Sequence, residues 1–240
     1  MRLHVIGTGS KGNSYALVSS TGEKLLIEAG VKIQALKDGL NFDLDNIHGC
    51  LISHEHGDHA AYVKNYALIS RIYSMSETIA KFAMPDKMNV GRYYELTQKK
   101  KIGPFTVSYF GTIHDAAHPV GFIIQHKECG TIVYCTDTAY MPEFNGQIDH
   151  LIIEVNYCQE ILELNVENGM DSYLANRITA THFSLEKAVK FIEGMNVIPK
   201  TITCIHLSDT NSSEKLIKET LMSKFGCIVN IARNGDVYNF

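Results

Sequence analysis

The sequence carries no excess of positive charge: 22 Lys and Arg stand against 26 Asp and Glu, a net charge of -4 with histidine neutral. That balance excludes a strongly basic DNA-coating protein and leaves room only for a local basic groove. No apolar run approaches the ~20 residues of a membrane span. Gly7, Gly9 and Gly12 interrupt the first residues before a signal-length apolar core forms, so no membrane or export role is expected. Cys50, Cys129, Cys135, Cys158, Cys204 and Cys227 contain no C-x-x-C pair, and most sit in strand-like apolar surroundings. They read as buried free thiols in a reducing compartment, which makes the expected location cytoplasmic. The five prolines are scattered, and no linker or internal repeat divides the chain. Residues 1–240 are therefore expected to form a single domain.

What the sequence does contain is a globular composition, 45% hydrophobic and 20% charged. A chain of this size buries enough apolar surface to fold without a disulfide or structural metal, so a metal would serve chemistry. Short β-rich segments alternate with helical ones. Strands are predicted at Leu3–Ile6, Tyr15–Ser19, Lys24–Glu28, Cys50–Ser53, Phe105–Phe110, Val120–Gln125, Thr131–Thr136, Leu151–Val155, Thr201–His206 and Cys227–Ala232. Helices are predicted at Val31–Leu40, Ala60–Leu68, Glu77–Ala83, Asp171–Ile178, Leu185–Met195 and Glu214–Phe225, with Ser184 as the N-cap of the fifth. This pattern suits an α+β fold of two packed sheets with helices outside better than a doubly wound parallel sheet. Lys99–Lys101, the one run of three like charges, reads as a solvated hairpin end, with a phosphate-binding patch as the alternative.

Eleven histidines are present, and three of them fall in His54-Glu55-His56-Gly57-Asp58-His59. A chance H-x-H-x-D-H in such a chain is roughly a 1-in-1000 event. The motif follows a predicted strand and precedes a helical stretch, where a tight loop turns imidazoles and a carboxylate toward one point. That mixture suits Zn²⁺, Mn²⁺ or Fe better than Ca²⁺ or Mg²⁺. Further candidates stand at or just beyond the carboxyl ends of other predicted strands: His114, Asp137 and His206.

In that order these residues resemble the metallo-β-lactamase superfamily, and within it the YycJ/WalJ group beside the ribonuclease Z and phosphodiesterase branches. The matching stretches are Gly7–Ser14, Leu26–Gly30, the histidine motif, His114–Phe122, Thr136–Thr138, Thr181–Ser184 and His206–Ser208. The resemblance implies an αββα sandwich with two divalent transition-metal ions, Zn or Mn with Fe as a further option, at one edge. His54, His56 and His114 would hold the first ion, Asp58, His59 and His206 the second, and Asp137 would bridge them. An aspartate at the bridging position resembles the nuclease and phosphodiesterase branch rather than the true lactamases, which place a cysteine there; Cys135 is two residues off. His182 is the expected general acid, so that His182 and Asp58 form the catalytic pair.

Three positions depart from the family pattern. Glu28 replaces an aspartate, Tyr157 stands where the group has a histidine after Glu154-Val155-Asn156, and His118 stands where it tends to have an acid. The task of that missing histidine is expected to be lost or passed to Tyr157.

The implied reaction is phosphodiester hydrolysis by a metal-activated hydroxide, with DNA as substrate and 5′ to 3′ exonuclease action. Lys11, Lys32, Lys64, Arg71 and Lys99–Lys101 would have to supply any phosphate-tracking groove. A phosphodiesterase for small or cyclic nucleotides is the alternative, followed by a thioester or lactone hydrolase. A non-catalytic metal-binding or redox module is a fourth reading, opposed by the full ligand set.

Overall fold

The computed structural model describes residues 1–82 and 91–240. Its first sheet takes β1 (Arg2–Gly7), β2 (Ser14–Val18), β3 (Lys24–Ile27), β4 (Ile47–Leu51), β5 (Ile72–Ser74) and β6 (Tyr93–Glu95). The second takes β7 (Lys100–Ile102), β8 (Phe105–Gly111), β9 (Val120–His126), β10 (Gly130–Cys135), β11 (His150–Glu154), β12 (Thr201–Ile205) and β13 (Ile228–Ile231). A further strand, β14 (Val237–Asn239), returns to the first sheet beside β1, with Arg2 opposite Asn239. Each sheet is mixed: β1 to β3 are antiparallel and β3 to β6 parallel, while β7 to β10 are antiparallel and β10 to β13 parallel.

Alternation along the strands builds the layers. In β10, Ile132 and Tyr134 face the other sheet, whereas Val133 and Cys135 face helices. The inter-sheet core joins Leu3, Val5, Tyr15 and Leu25 to Phe105, Phe122, Ile132 and Ile152. Outside the second sheet, Leu185, Ala188 and Ile192 of α7 (Leu185–Glu193) and Ile217 and Leu221 of α8 (Glu214–Phe225) close a second core. On the other flank, Leu36 of α1 (Ile33–Gly39) and Val63 and Tyr66 of α3 (Val63–Tyr66) cover the first sheet. The remaining helices are α2 (Gly57–Ala60), α4 (Ser76–Phe82), α5 (Gln159–Glu167) and α6 (Ser172–Thr181). The four layers are the expected αββα sandwich.

All ten predicted strands are present, with shifted ends. The predicted helix at Ala60–Leu68 is corrected: two short helices occupy the stretch, because the Tyr62 N–H leaves the helical ladder and bonds to Ala29 O at 2.9 Å. The helix expected at Glu77–Ala83 begins at Ser76; Ala83 lies outside the described residues. Strands β5, β6, β7 and β14 were not anticipated, each being three residues long, too short to display alternation. Two of the three lysines of Lys99–Lys101 lie on β7, an edge strand hairpinned to β8, in keeping with the solvated reading. All six cysteines are free, five of them buried. Among the described residues no helix is long and apolar enough to cross a membrane.

Candidate metal centre

The carboxyl ends of several strands meet on one rim of the sandwich. Glu28 follows β3, Asp137 lies two residues beyond β10, Glu154 ends β11 and His206 follows β12. His54 comes three residues after β4, and His114 three after β8. Glu28, Asp137 and His206 have positive φ, at 64°, 44° and 53°. Left-handed backbone at a non-glycine residue costs of order 1–3 kcal/mol and persists only where surrounding structure dictates it. Here each turn bends the chain sharply as it leaves a buried strand.

His54, His56 and His114 form one group whose ligand atoms all lie within 4.8 Å of one another, and Asp58, His59, Asp137 and His206 form another. The two adjoin through Asp137. Its Oδ2 lies 2.7 Å from His59 Nε2, 3.4 Å from His54 Nε2 and 4.0 Å from His114 Nε2. Its Oδ1 faces His206 Nδ1 at 3.1 Å. Asp58 Oδ2 lies 3.2 Å from both His59 Nε2 and His206 Nε2. Every residue expected as a ligand is thus brought to one place.

Whether these residues suit a cation is decided by their outward contacts. His54 Nδ1 bonds Ser53 Oγ at 2.9 Å, which leaves Nε2 aimed into the cluster, buried and without a hydrogen-bond partner. His114 Nδ1 donates to Thr181 O at 3.1 Å, which turns its Nε2 toward His56 Nδ1 at 3.1 Å, with Asp115 Oδ1 at 3.3 Å. Two such nitrogens bound to one tetrahedral Zn²⁺ would stand about 3.3 Å apart. His206 Nδ1 rests on Glu154 Oε1 at 2.9 Å, the carboxylate–histidine pairing typical of metal ligands. Behind His59, Glu28 Oε1 lies 3.6 Å from Nδ1 and accepts the Tyr134 hydroxyl at 3.3 Å. The longer Glu28 side chain therefore still backs a ligand.

The electrostatics point the same way. Burial, reinforced by His59, drives the His54 imidazole well below its usual range, toward the neutral form that metals take. Burial also opposes charge on His206, yet Asp137, Asp58 and Glu154 raise it to about 9. Asp137 is held well below the carboxylate range against its own burial by His206 and His59. Carboxylates Glu28, Asp58, Asp137 and Glu154 converge on the rim, and such a site calls for positive charge. The donor set fits divalent metal.

Glu154, fully buried, is the residue that sequence reasoning missed. Its Oε1 lies 2.7 Å from His182 Nδ1 as well as 2.9 Å from His206 Nδ1. Its Oε2 accepts the N–H groups of Phe183 at 3.1 Å and Thr138 at 3.3 Å. Burial works against a charge on His182, but Glu154 and Asp137 outweigh it and raise the imidazole to about 10. Glu154, His182, Asp137 and His206 also form a third cluster able to hold a cation. Of the two fates expected for the missing histidine's task, transfer to Tyr157 finds no support in the structure. Its ring is buried with Leu162 and Ala175, away from the rim. His118 pairs with Glu77 Oε2 at 3.1 Å, outside these clusters. Cys135 points into the helix-facing core.

A second unanticipated residue is Asn13. Its Nδ2 lies 3.3 Å from Asp58 O and 3.4 Å from Asp58 Oδ2, while its Oδ1 accepts the Gly9 N–H at 2.9 Å. The glycine-rich loop is thereby fastened to the histidine motif. Gly30 permits the crossing, since a Cβ there would lie 1.7 Å from Asp58 O and 2.7 Å from Asn13 N. Both obstacles are backbone. Gly30→Ala should therefore lower Tm by at least roughly 5 °C and reduce metal content, a loss of the size that overpacking inflicts. A variant with native Tm and metal content would refute this close approach.

The rim opens into a cleft of about 480 Å³ lined by His56, Asp58, His114, Asp137, His182 and His206, with Leu174, Arg177 and Ile178 of α6 on its wall. A model of the β-lactamase superfamily domain matches residues 24–207. The chain is 28% identical over 241 residues to exodeoxyribonuclease WalJ of Streptococcus pneumoniae, spanning 92% of this chain and 86% of that one. It is 28% identical over 185 residues to exodeoxyribonuclease YycJ of Bacillus anthracis, spanning 68% and 67%. Among solved structures, the metallo-β-lactamase fold protein YhfI of Bacillus subtilis superposes with a TM-score of 0.75 at 21% identity, covering 99% of this chain and 98% of that one. With that domain model matched over residues 24–207, this chain belongs to the β-lactamase superfamily, and it has the metallo-β-lactamase fold.

Proposed function

We propose that this protein is a metal-dependent phosphodiesterase of nucleic acid, acting as a DNA exonuclease from 5′ ends. The observation that carries the proposal is the pair of donor groups that adjoin at Asp137, with His182 on the same cleft. In this reading His54, His56 and His114 would hold one Zn²⁺ or Mn²⁺, Asp58, His59 and His206 would hold a second, and Asp137 would serve both groups. Divalent ions held there supply Lewis acidity toward a phosphoryl oxygen and lower the pKa of water.

The chain itself does the rest. Asn13 orients Asp58, and Ser53, Thr181 O and Glu154 fix the rings of His54, His114 and His206. Glu154 holds His182 Nδ1, which leaves Nε2 to present a proton to the departing oxygen. The kinship with two proteins named exodeoxyribonucleases supports DNA as the polymer.

One observation favours hydrolysis of a small nucleotide as a second reading: Arg177 is the one Lys or Arg among the described residues lining the cleft. Metal-loaded protein offered end-labelled single- and double-stranded DNA beside a panel of small phosphodiesters separates the two. The exonuclease should release mononucleotides or short products from a linear end, with binding that weakens as salt rises. Turnover of a cyclic or dinucleotide substrate, with DNA untouched in both Mn²⁺ and Zn²⁺, would establish the second reading instead.

A further inference from the structure

A net charge of -4 leaves no general excess of cations to track a polyanion, and Arg177 is the one Lys or Arg among the described residues lining the cleft. The three lysines of Lys99–Lys101 do not line the cleft. Lys11 is not among the residues lining the cleft either, and stands exposed 3.8 Å from Asp209. The cleft wall offers a different kind of surface. Helix α6 enters the cleft with Leu174, Arg177 and Ile178, and Leu174 is 43% exposed despite being apolar. One residue earlier, Tyr173 is 77% exposed, the most exposed of the large hydrophobic side chains among the described residues. Its N–H is engaged by the N-cap Asp171 at 2.8 Å, so the backbone that carries the ring is fixed while the ring stands in solvent.

The helix also sets a ruler. It ends at His182, its C-cap, so Arg177 stands ~7.5 Å and Tyr173 about 13 Å back along the axis from the proton donor. Tyr173 and Arg177 are four residues apart and share a face. Arg177 has a loose partner in Asp115 at 3.7 Å, which a phosphate can replace.

From this arrangement we infer that α6 is the strand-binding element: Arg177 takes the phosphate next to the scissile one, and Tyr173 with Leu174 seats a nucleobase by stacking. The inference rests on the phosphodiesterase reading and names its substrate as a single-stranded end. Stacking is indifferent to base identity because every base has a π-face, so the seat confers grip without sequence preference. It also explains how an acidic protein holds DNA.

The test compares native protein with Tyr173→Ala and Tyr173→Phe, all metal-loaded. Two measurements are made: equilibrium binding of a fluorescent single-stranded oligonucleotide, and hydrolysis of bis(p-nitrophenyl) phosphate. Tyr173→Ala should weaken oligonucleotide binding roughly 5- to 150-fold, the range of one lost stacking contact. Tyr173→Phe should bind as the native protein does, because it keeps the stacking ring. An abasic nucleotide at the seat should remove the difference between native protein and Tyr173→Ala. The salt dependence of binding should be shallow, with a log–log slope near -0.7 for one engaged phosphate. Equal oligonucleotide affinity of native protein and Tyr173→Ala would overturn the stacking seat. So would a slope steeper than about -3, which would place the grip in a basic tract. Failure of the phosphodiesterase reading has a separate signature, no hydrolysis of the ester by the native protein, whereas the binding measurement judges the seat regardless of turnover.

Discussion

Asp137→Ala should take the protein from close to two transition-metal ions per chain to below one, with loss at both positions. Its Oδ2 stands between His59 Nε2 at 2.7 Å and His54 Nε2 at 3.4 Å, so its removal takes a donor from each group. It also removes the largest of the charges that offset buried His59 and His206, leaving Asp58 as the one carboxylate that touches both rings. Hydrolysis should disappear with the metal, and excess Mn²⁺ or Zn²⁺ should not restore it. Elemental analysis finding one tightly bound ion, unchanged in the variant, would sink the bridging role.

His182→Ala should give the opposite profile: metal retained, substrate binding near normal and kcat lower by roughly 10²–10⁴, the usual contribution of a general acid. A p-nitrophenolate leaving group needs little protonation, so the defect should shrink markedly on such a substrate. His206→Ala should lose metal first and activity as a consequence. Loss of metal in His182→Ala with retention in His206→Ala would exchange the two roles. The pH profile offers a check through Glu154, whose charge helps raise His182 to about 10. Neutralising that charge lowers the imidazole's pKa, so its proton is lost at lower pH. The alkaline limb of kcat in Glu154→Gln should accordingly move to lower pH. Metal content must be followed alongside, since Glu154 Oε1 also meets His206 Nδ1.

How much of this was legible depended on whether a residue announced itself locally. The H-x-H-x-D-H motif did so by composition, and His114, Asp137 and His206 by standing at strand ends. Glu154 stands at a strand end too and satisfied the same rule. A carboxylate that ends a buried strand carries no local mark that separates it from a core-facing position, and the departure from the family pattern stands three residues later, where the family carries a histidine. Tyr157 fills that position with a ring the size of a core residue, and burial beside Leu162 and Ala175 satisfies it better than the rim does. Asn13 could not be found by spacing at all. Its partner Asp58 lies 45 residues away, and only the meeting of two loops across Gly30 brings them together. The split of the helix after the motif was equally hidden, because the competing acceptor is Ala29 O, on another turn of the chain.

The loop after β1 reaches further than Asp58. Thr8 Oγ1 accepts the His206 N–H at 3.0 Å, and the Thr8 N–H donates to Asn234 Oδ1 at 3.0 Å. These contacts close over 198 and 226 residues of chain, among the slowest kind to form because loop entropy is lost before they return anything. During synthesis the histidine motif emerges early, but the backbone that sets His206 against it arrives some 150 residues later, and the Asn234 clasp later still. A growing chain therefore has no finished active centre while the histidine motif alone has emerged. Hydrolytic competence is a late event in folding, and a centre built this way stays silent on the ribosome until His206 and Asn234 have joined the loop after β1.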